Sequence, residues 1–304
     1  MIDFQKIDLN HKAEYEACLF AGPNRGCEYS FANLYLWGKQ ELAFLHGCVA
    51  RFSHFYGRSV YPFPLGHGDR MAVIEAYLED AKYRGIPCRI TGITAPDREE
   101  MELRFPGRFQ FRCDRDGFDY VYAIDDLADL RGRKYQKKRN HFNRFQAAHP
   151  DYRILPLTRE QIPAAARLIA DWYATREAQQ PGENFMLEKR ALRRCLRNLE
   201  ALEMEGCLLM DGDELLALAI GSRMAPDTFD IHFEKAREDV DGAYAAINCE
   251  FARYLRAKYP DVKFLNREDD MGLEGLRKAK LSYLPHHMVE KSWAYLTEDI
   301  YEDA

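Results

Sequence analysis

No stretch of this 304-residue chain approaches the roughly 20 consecutive apolar residues that a membrane-crossing helix needs. The opening MIDFQKIDLNHKAEYEA has no basic stretch followed by an apolar core. A soluble, cytoplasmic protein without a transmembrane segment is expected. Paired cysteines are missing too: Cys18, Cys27, Cys48, Cys88, Cys113, Cys195, Cys207 and Cys249 are scattered, with no CxxC. That excludes a recognisable zinc ribbon or redox motif and predicts reduced thiols, no disulfides and no metal site. The neighbouring His286 and His287 lack acidic or cysteine partners at ligand spacing. No Ser/His/Asp or Cys/His arrangement can be read from spacing, which argues against a covalent enzyme intermediate.

The sharpest deficit is local. From Arg131 to Phe145, RGRKYQKKRNHFNRF, seven cations stand without one acid, in a chain whose net charge is -6. A solvated helix gains a few tenths of a kcal/mol from each opposite-charge pair one turn apart. This segment gives that up, so an anion is expected to complete it. Tyr135, Phe142 and Phe145 fall on one helical stripe and anchor the segment, leaving the cations outside. Arg133, Lys134, Lys137, Lys138 and Arg139, with Asn140 and Asn143 as hydrogen-bonding groups between them, are candidate phosphate or nucleic-acid contacts. The plainer alternative is a basic helix linking two domains.

With 47% hydrophobic residues the chain can bury a large core, and its length suggests two domains of about 150 residues. Strands are expected at 41–46 and 48–54 around His46-Gly47, at 59–63, 88–93, 109–112 and 120–124. Helices are expected at 69–84, closed by Gly85, and at 97–105. The second half opens on the capping-box pattern Thr158-Arg159-Glu160-Gln161. A helix whose apolar stripe includes Ala165, Leu168, Ile169, Trp172 and Tyr173 follows, and a second near 187–202; strands come next at 207–210 and 215–220 around Asp211-Gly212-Asp213, and at 229–233. A helix at 243–258, a strand at 262–265, a helix at 273–281 and a last strand near 289–295 complete it. Hairpin, strand, helix, strand, helix, strand thus occurs twice. Mixed α/β sheets in two tandem domains are predicted, at 1–125 and 151–304, joined by a basic helix at 126–150. The element order is that of GNAT acyltransferase domains.

Four stretches carry a more specific likeness: DLADLRGRKYQKKRNHFNRF (126–145), HFEKAREDVDGAYAAINCEFA (232–252), FLNREDDMGLEGLRKAKLSYLP (264–285) and, more loosely, FANLYLWG (31–38). Together they resemble the phosphatidylglycerol lysyltransferase C-terminal domain family along nearly the whole chain. The resemblance implies two tandem acyltransferase-like domains and an aminoacyl-tRNA donor, with kinship to the peptidoglycan aminoacyl-tRNA transferases. Lipid-modifying members carry this unit behind a membrane-embedded domain that is not found in this sequence. A soluble acceptor, or peripheral membrane docking through the basic segment, is therefore expected beside a lipid acceptor.

Strand 229–233 should turn Asp230, His232 and Glu234 to one face. His232 or Glu234 is a candidate base for an attacking amine or hydroxyl. The junction from Ala236 to Ala245, with Arg237, Gly242 and Tyr244, stands where an acetyltransferase would hold the coenzyme A pyrophosphate on a helix N-terminus. Glu238, Asp239 and Asp241 oppose that use, each costing about 1 kcal/mol at ~4 Å even in water. Coenzyme A is thus the alternative donor, and no tightly bound cofactor is expected. The loop Asn266-Arg267-Glu268-Asp269-Asp270 is a candidate reader of an aminoacyl ammonium, or a helix cap. Lys278 and Lys280 are candidate phosphate or oxyanion partners, and Tyr283 a hydrogen-bond donor. The resulting reading is an acyltransferase using aminoacyl-tRNA, by direct transfer. An acyl-coenzyme A N-acyltransferase, or a noncatalytic RNA- or phospholipid-binding module, stands as the alternative.

Overall fold

The computed structural model of the chain describes residues 1–55, 58–182 and 184–298. Its strands are β1 (Gln5–Lys6), β2 (Gln40–Leu45), β3 (Cys48–Phe55), β4 (Arg58–Pro62), β5 (Leu65–Gly66), β6 (Arg89–Ile93), β7 (Phe109–Cys113), β8 (Asp119–Ala123), β9 (Arg153–Pro156), β10 (Glu205–Asp211), β11 (Glu214–Ala225), β12 (Thr228–Ala236), β13 (Phe264–Asn266), β14 (His287–Val289) and β15 (Ser292–Leu296). Its α-helices are α1 (Lys12–Ala21), α2 (Phe31–Trp37), α3 (Arg70–Arg84), α4 (Ala95–Arg104), α5 (Ile124–Asp129), α6 (Gln136–Ala148), α7 (Ile162–Gln179), α8 (Met186–Arg197), α9 (Ala243–Lys258) and α10 (Glu274–Leu281). Among the described residues, no helix is long and apolar enough to cross a membrane.

The chain forms two compact units. The first comprises Met1–Asp119, Asp269–Arg277 and the described residues from Met288 on; the second comprises Tyr120–Glu268 and Lys278–His287. The expected segments 1–125, 126–150 and 151–304 do not coincide with this division. Two stretches from the far end of the chain return to the first unit, and the basic segment lies inside the second. Its apolar stripe explains why: Tyr135, Phe142 and Phe145 are all buried, with α6 packed on α9. Composition shows the charge of such a segment; only long-range packing shows which core it serves.

In the first unit the sheet order is β1-β2-β3-β4-β6-β15-β7, with β5 also paired to β3. The β2–β3 turn places His46 at φ 52° and Gly47 at φ 73°, the left-handed pair whose twist suits a two-residue hairpin. Asp69 caps α3 by accepting from the Ala72 N–H, and Gly85 ends it in the left-handed region. Phe52, Tyr61, Phe63, Ile74, Tyr77 and Ile90 form its core.

In the second unit the order is β14-β8-β13-β12-β11-β10-β9. The β10–β11 hairpin turns at Gly212, in the left-handed region. Strand β12 runs parallel to β13, but they pair only at Thr228–Asp230 against Phe264–Asn266. Beyond Asp230, β12 continues alone for six residues on that edge, leaving a wedge beside it. Alternate side chains of β12 reach opposite faces: Glu234 meets Asn248 of α9, and Lys235 meets Glu188 of α8. These are the mixed sheets of two GNAT-like domains in tandem.

Candidate active site

The wedge beyond Asp230 holds a seam of polar groups. Arg267 follows directly on β13, its N–H donating to the Tyr120 carbonyl at 3.0 Å while the Tyr120 N–H donates to Glu268 O at 3.2 Å, so β8 fixes this turn from its other side. Asn266, fully buried, accepts the Glu268 N–H on its Oδ1 at 2.7 Å. Glu268 is thereby held at φ 58°, a left-handed conformation uncommon for a side-chain-bearing residue.

Held in this way, Arg267 reaches across the wedge and pairs through Nη2 with Glu234, both side chains being mostly enclosed at 15% and 13% exposure. Glu234 also accepts from Asn248 Nδ2 at 3.0 Å. Burial works against the Arg267 charge, and Glu234 outweighs it, so the guanidinium stays protonated. Two atoms of the cluster, Arg267 Nη1 and Asn248 Oδ1, are buried and have no hydrogen-bond partner among the described residues. An unmet buried donor and an unmet buried acceptor each cost about 1–3 kcal/mol. Both residues are held on the one carboxylate of Glu234.

Tyr283 is the seat of the seam. Its ring lies 5.0 Å from the Arg267 guanidinium and 3.7 Å from Lys138 Nζ, and burial raises its phenol to about 12. Lys138 is half-buried; desolvation first, and the Arg267 charge second, push its ammonium down to about 8. Lys280 donates to the Arg267 carbonyl at 2.5 Å, and Tyr122 OH donates to the Lys280 carbonyl at 2.8 Å. So Glu234, Arg267, Tyr283 and Lys280 are brought together as a group, and Lys138 joins them, away from the phosphate role the sequence suggested for it.

His232 stands lower on the same face, with its side chain 1% exposed. Ser222 Oγ lies 2.8 Å from its Nε2, and Nδ1 faces Glu268 Oε1 at 3.3 Å and Asp230 Oδ2 at 3.5 Å. This serine, histidine and carboxylate arrangement escapes the sequence because its members are spread over 47 positions. The signal that could have found it is register: the β11–β12 hairpin sets Ser222 opposite Asp230. Asp230, His232 and Glu268 also offer three atoms within 4.8 Å that could hold a metal ion, which spacing alone did not anticipate.

The outer face of the basic segment divides. Arg139 donates through Nη1 to the carbonyls of Leu130 and, at 2.6 Å, of Gly132, so it is committed to the turn before α6. Lys134 lies 3.4 Å from Asp126, and Arg144 3.0 Å from Asp241. The missing acids are thus supplied partly from outside the segment. Arg133, Lys137, Asn140 and Asn143 are exposed.

The pyrophosphate arrangement is not what the structure presents. Gly242 caps α9 at φ 81°, and a Cβ there would come 2.4 Å from the His141 carbonyl. The backbone of α6 thus packs closely against the N-terminus of α9. Arg237 is committed to Asp239, at 2.6 and 3.0 Å, and to Glu214 at 2.5 Å. Tyr244 OH accepts from Trp172 Nε1 at 2.8 Å. Gly242 serves helix packing: Gly242→Ala should lose about 2–4 kcal/mol of stability, from the left-handed φ and the backbone clash together. Urea unfolding checks this, and a midpoint equal to wild type would contradict it.

The acidic loop also separates. Asp270 is fully buried and accepts from Arg277, at 2.8 Å on each oxygen, and from Arg115 at 3.3 Å, within the first unit. Asp269, half-buried, accepts the Met271 N–H at 3.2 Å. Lys278 is exposed on α10. Asn248 was missed by the sequence reading, since an asparagine in mid-helix carries no motif.

Comparison with known proteins fits this architecture. A protein of unknown function from Bacteroides thetaiotaomicron VPI-5482 is 37% identical, with a TM-score of 0.92 over 98% of this chain and all of that one. The L-PGS structure from Bacillus licheniformis superposes with a TM-score of 0.68 at 17% identity, over 97% of this chain and 94% of that one. A tandem GNAT protein from the clavulanic acid biosynthesis pathway shares the fold at 9% identity, with a TM-score of 0.51 over 96% and 98% of the two chains. An uncharacterized Mycoplasmoides gallisepticum protein is 21% identical over 174 residues, 57% of this chain, which spans about half (54%) of that relative's length. Residues 21–295 match the family described as phosphatidylglycerol lysyltransferase, C-terminal. The two sheets share the GNAT fold of these structures, and the chain belongs to the phosphatidylglycerol lysyltransferase C-terminal family.

Proposed function

We propose that this protein transfers the aminoacyl group of an aminoacyl-tRNA to an amine or hydroxyl acceptor, in the cytoplasm and without a covalent enzyme intermediate. The observation that carries the reading is the pair of unmet buried atoms beside Glu234, a donor on Arg267 and an acceptor on Asn248. An aminoacyl ester brings a carbonyl oxygen and an α-ammonium close together, the complementary set. Arg267 Nη1 would then hold the carbonyl oxygen and, as the acceptor attacks, the oxyanion that forms there. Glu234 and Asn248 Oδ1 would hold the ammonium.

Burial, with the Arg267 charge beside it, pushes the Lys138 ammonium down to about 8, which makes its neutral form available as the base. Its neutral form takes the proton of the attacking amine or hydroxyl; the new C–N or C–O bond forms, and the tetrahedral carbon collapses with loss of the ribose oxygen. Lys138 then returns the proton to that oxygen. Tyr283 positions Lys138, and His232 with Ser222 steadies Glu268. Arg133, Lys134 and Lys137 give the tRNA phosphates a cationic surface. The coenzyme A alternative is less favoured, since Arg237 is engaged by Glu214 and Asp239 and Gly242 packs against α6.

The test is label transfer by the purified protein from a pool of radiolabelled aminoacyl-tRNAs, with labelled acetyl-coenzyme A in parallel, into lipid, peptide and small-molecule fractions of an extract. Label leaving tRNA into one fraction is expected. Transfer from coenzyme A alone, or from neither donor, would overturn the reading.

A further inference from the structure

At the foot of the wedge, three side chains of the second unit converge from two neighbouring strands. Asp230 and His232 share one face of β12, and Glu268 comes from the turn that follows β13. One ligand atom from each lies within 4.8 Å of the other two. The His232 side chain is 1% exposed and that of Asp230 fully buried, while Glu268 keeps 24% exposure and forms the solvent side of the group. Hydrogen bonding alone does not explain the spacing. His232 Nδ1 lies 3.3 Å from Glu268 Oε1 and 3.5 Å from Asp230 Oδ2, whereas a charge-assisted N–H bond to a carboxylate closes to about 2.7–2.9 Å. A single Nδ1–H also cannot point at both oxygens. Around a tetrahedral zinc ion, bonds of about 2.0–2.2 Å set neighbouring ligand atoms about 3.3–3.6 Å apart, and both distances fall in that range. The far side of the ring agrees. Ser222, opposite Asp230 in the β11–β12 register, places its Oγ 2.8 Å from Nε2. There it can accept the Nε2–H and leave the Nδ1 lone pair facing the carboxylates, the outer-shell support that metal-binding histidines carry.

We infer that Asp230, His232 and Glu268 bind one divalent cation of the zinc type, with a fourth position for water on the Glu268 side. An imidazole nitrogen with two carboxylates is a set that zinc takes, whereas magnesium and calcium favour oxygen throughout. The ion fastens the Glu268 turn to β12, and with it Arg267, the residue immediately before. It also balances two carboxylates brought together in a mostly enclosed place, which a histidine proton does for only one of them at a time.

The full chain, stripped with a chelator and dialysed, is titrated with Zn²⁺ in the absence of any donor, so the result does not depend on the transfer reaction. About one equivalent should bind tightly and raise the thermal midpoint, with millimolar Mg²⁺ failing to displace it. Co²⁺ in its place should show the intense visible bands of a four-coordinate site. Glu268→Gln keeps the shape of a partly exposed side chain and should weaken binding by more than the roughly 10- to 100-fold that loss of an outer-shell partner costs, and Ser222→Ala by an amount within that range. His286→Asn with His287→Asn removes an exposed histidine pair whose Nδ1 atoms lie 2.9 Å apart, and should leave the tight equivalent in place. The inference is overturned if the wild type binds no Zn²⁺ at micromolar concentration, if Glu268→Gln binds it as tightly, or if the histidine-pair variant loses it. Weak, six-coordinate Co²⁺ bands in the wild type would overturn it whatever the variants do, which keeps the test decisive if a substitution disturbs folding.

Discussion

Arg267→Met is expected to lower aminoacyl transfer by about 10²- to 10³-fold at saturating donor, the usual cost of deleting one oxyanion donor. The same change leaves Glu234 in a mostly enclosed place with Asn248 as its remaining neutral partner. Removing one member of a buried ion pair costs about 3–5 kcal/mol, and this pair, slightly exposed, belongs at the lower end. The two effects separate in Arg267→Lys. That variant keeps the charge beside Glu234 and regains most of the stability, but a point-like ammonium cannot hold the carboxylate and the oxyanion at once as a planar guanidinium does. Single-turnover rates with preformed aminoacyl-tRNA, read beside urea unfolding, distinguish them. A Met variant within threefold of the wild-type rate removes Arg267 from the chemistry, whatever happens to stability.

Lys138→Met carries the second large effect, a loss of about 10²- to 10⁴-fold in transfer, the range for a positioned acid-base group. The pH profile gives the sharper test. With Lys138 held at about 8, its neutral form is a minority at neutral pH. The wild-type rate should therefore rise nearly tenfold per unit below pH 8 and level off above it, and the Met variant should lose that limb. Stability follows the same titration. The folded value lies below the ordinary 10.5, so the cost of burying the charge is fully present below about pH 8 and is relieved as pH rises from about 8 to 10.5, over which stability increases. Lys137→Ala, one residue away but exposed, should instead leave the profile unchanged and reduce the salt slope of tRNA binding by about one. Equal pH profiles for wild type and Lys138→Met would return Lys138 to the phosphate surface.

Adjacent residues of one basic run are placed differently, Lys138 half-buried against Tyr283 and Lys137 exposed, and the reason shows how far the sequence could be read. The run's anchoring stripe was legible, because Tyr135, Phe142 and Phe145 repeat with helical period and are buried as that period requires. So was the alternation along β12 that places His232 and Glu234 on one face. Which cation of the run turns toward Tyr283 was not legible, because Tyr283 is 145 positions away and reaches Lys138 only when β13 and α10 are in place. Asn248 remained hidden for the same reason: its partner Glu234 comes from a strand, and helix periodicity says nothing about what lies across it.

The glycine at 242 shows the converse. A glycine at a strand-to-helix junction reads as a phosphate cradle, yet its φ of 81° and the nearby His141 carbonyl make it a packing contact between two helices. Backbone freedom was encoded locally; the neighbour that uses it was not.

By itself the sequence determined the two mixed α/β sheets, the hairpins at His46-Gly47 and Gly212, the cationic run and the family, since each is written in nearest-neighbour pattern or motif. The tertiary structure alone decided that the basic run belongs to the second unit, that the final strand joins the first sheet, and that Glu234, Arg267, Tyr283 and Lys138 meet in one wedge. Those decisions depend on pairings between residues 30 to 200 positions apart, where burial and strand register, not local propensity, set the energy.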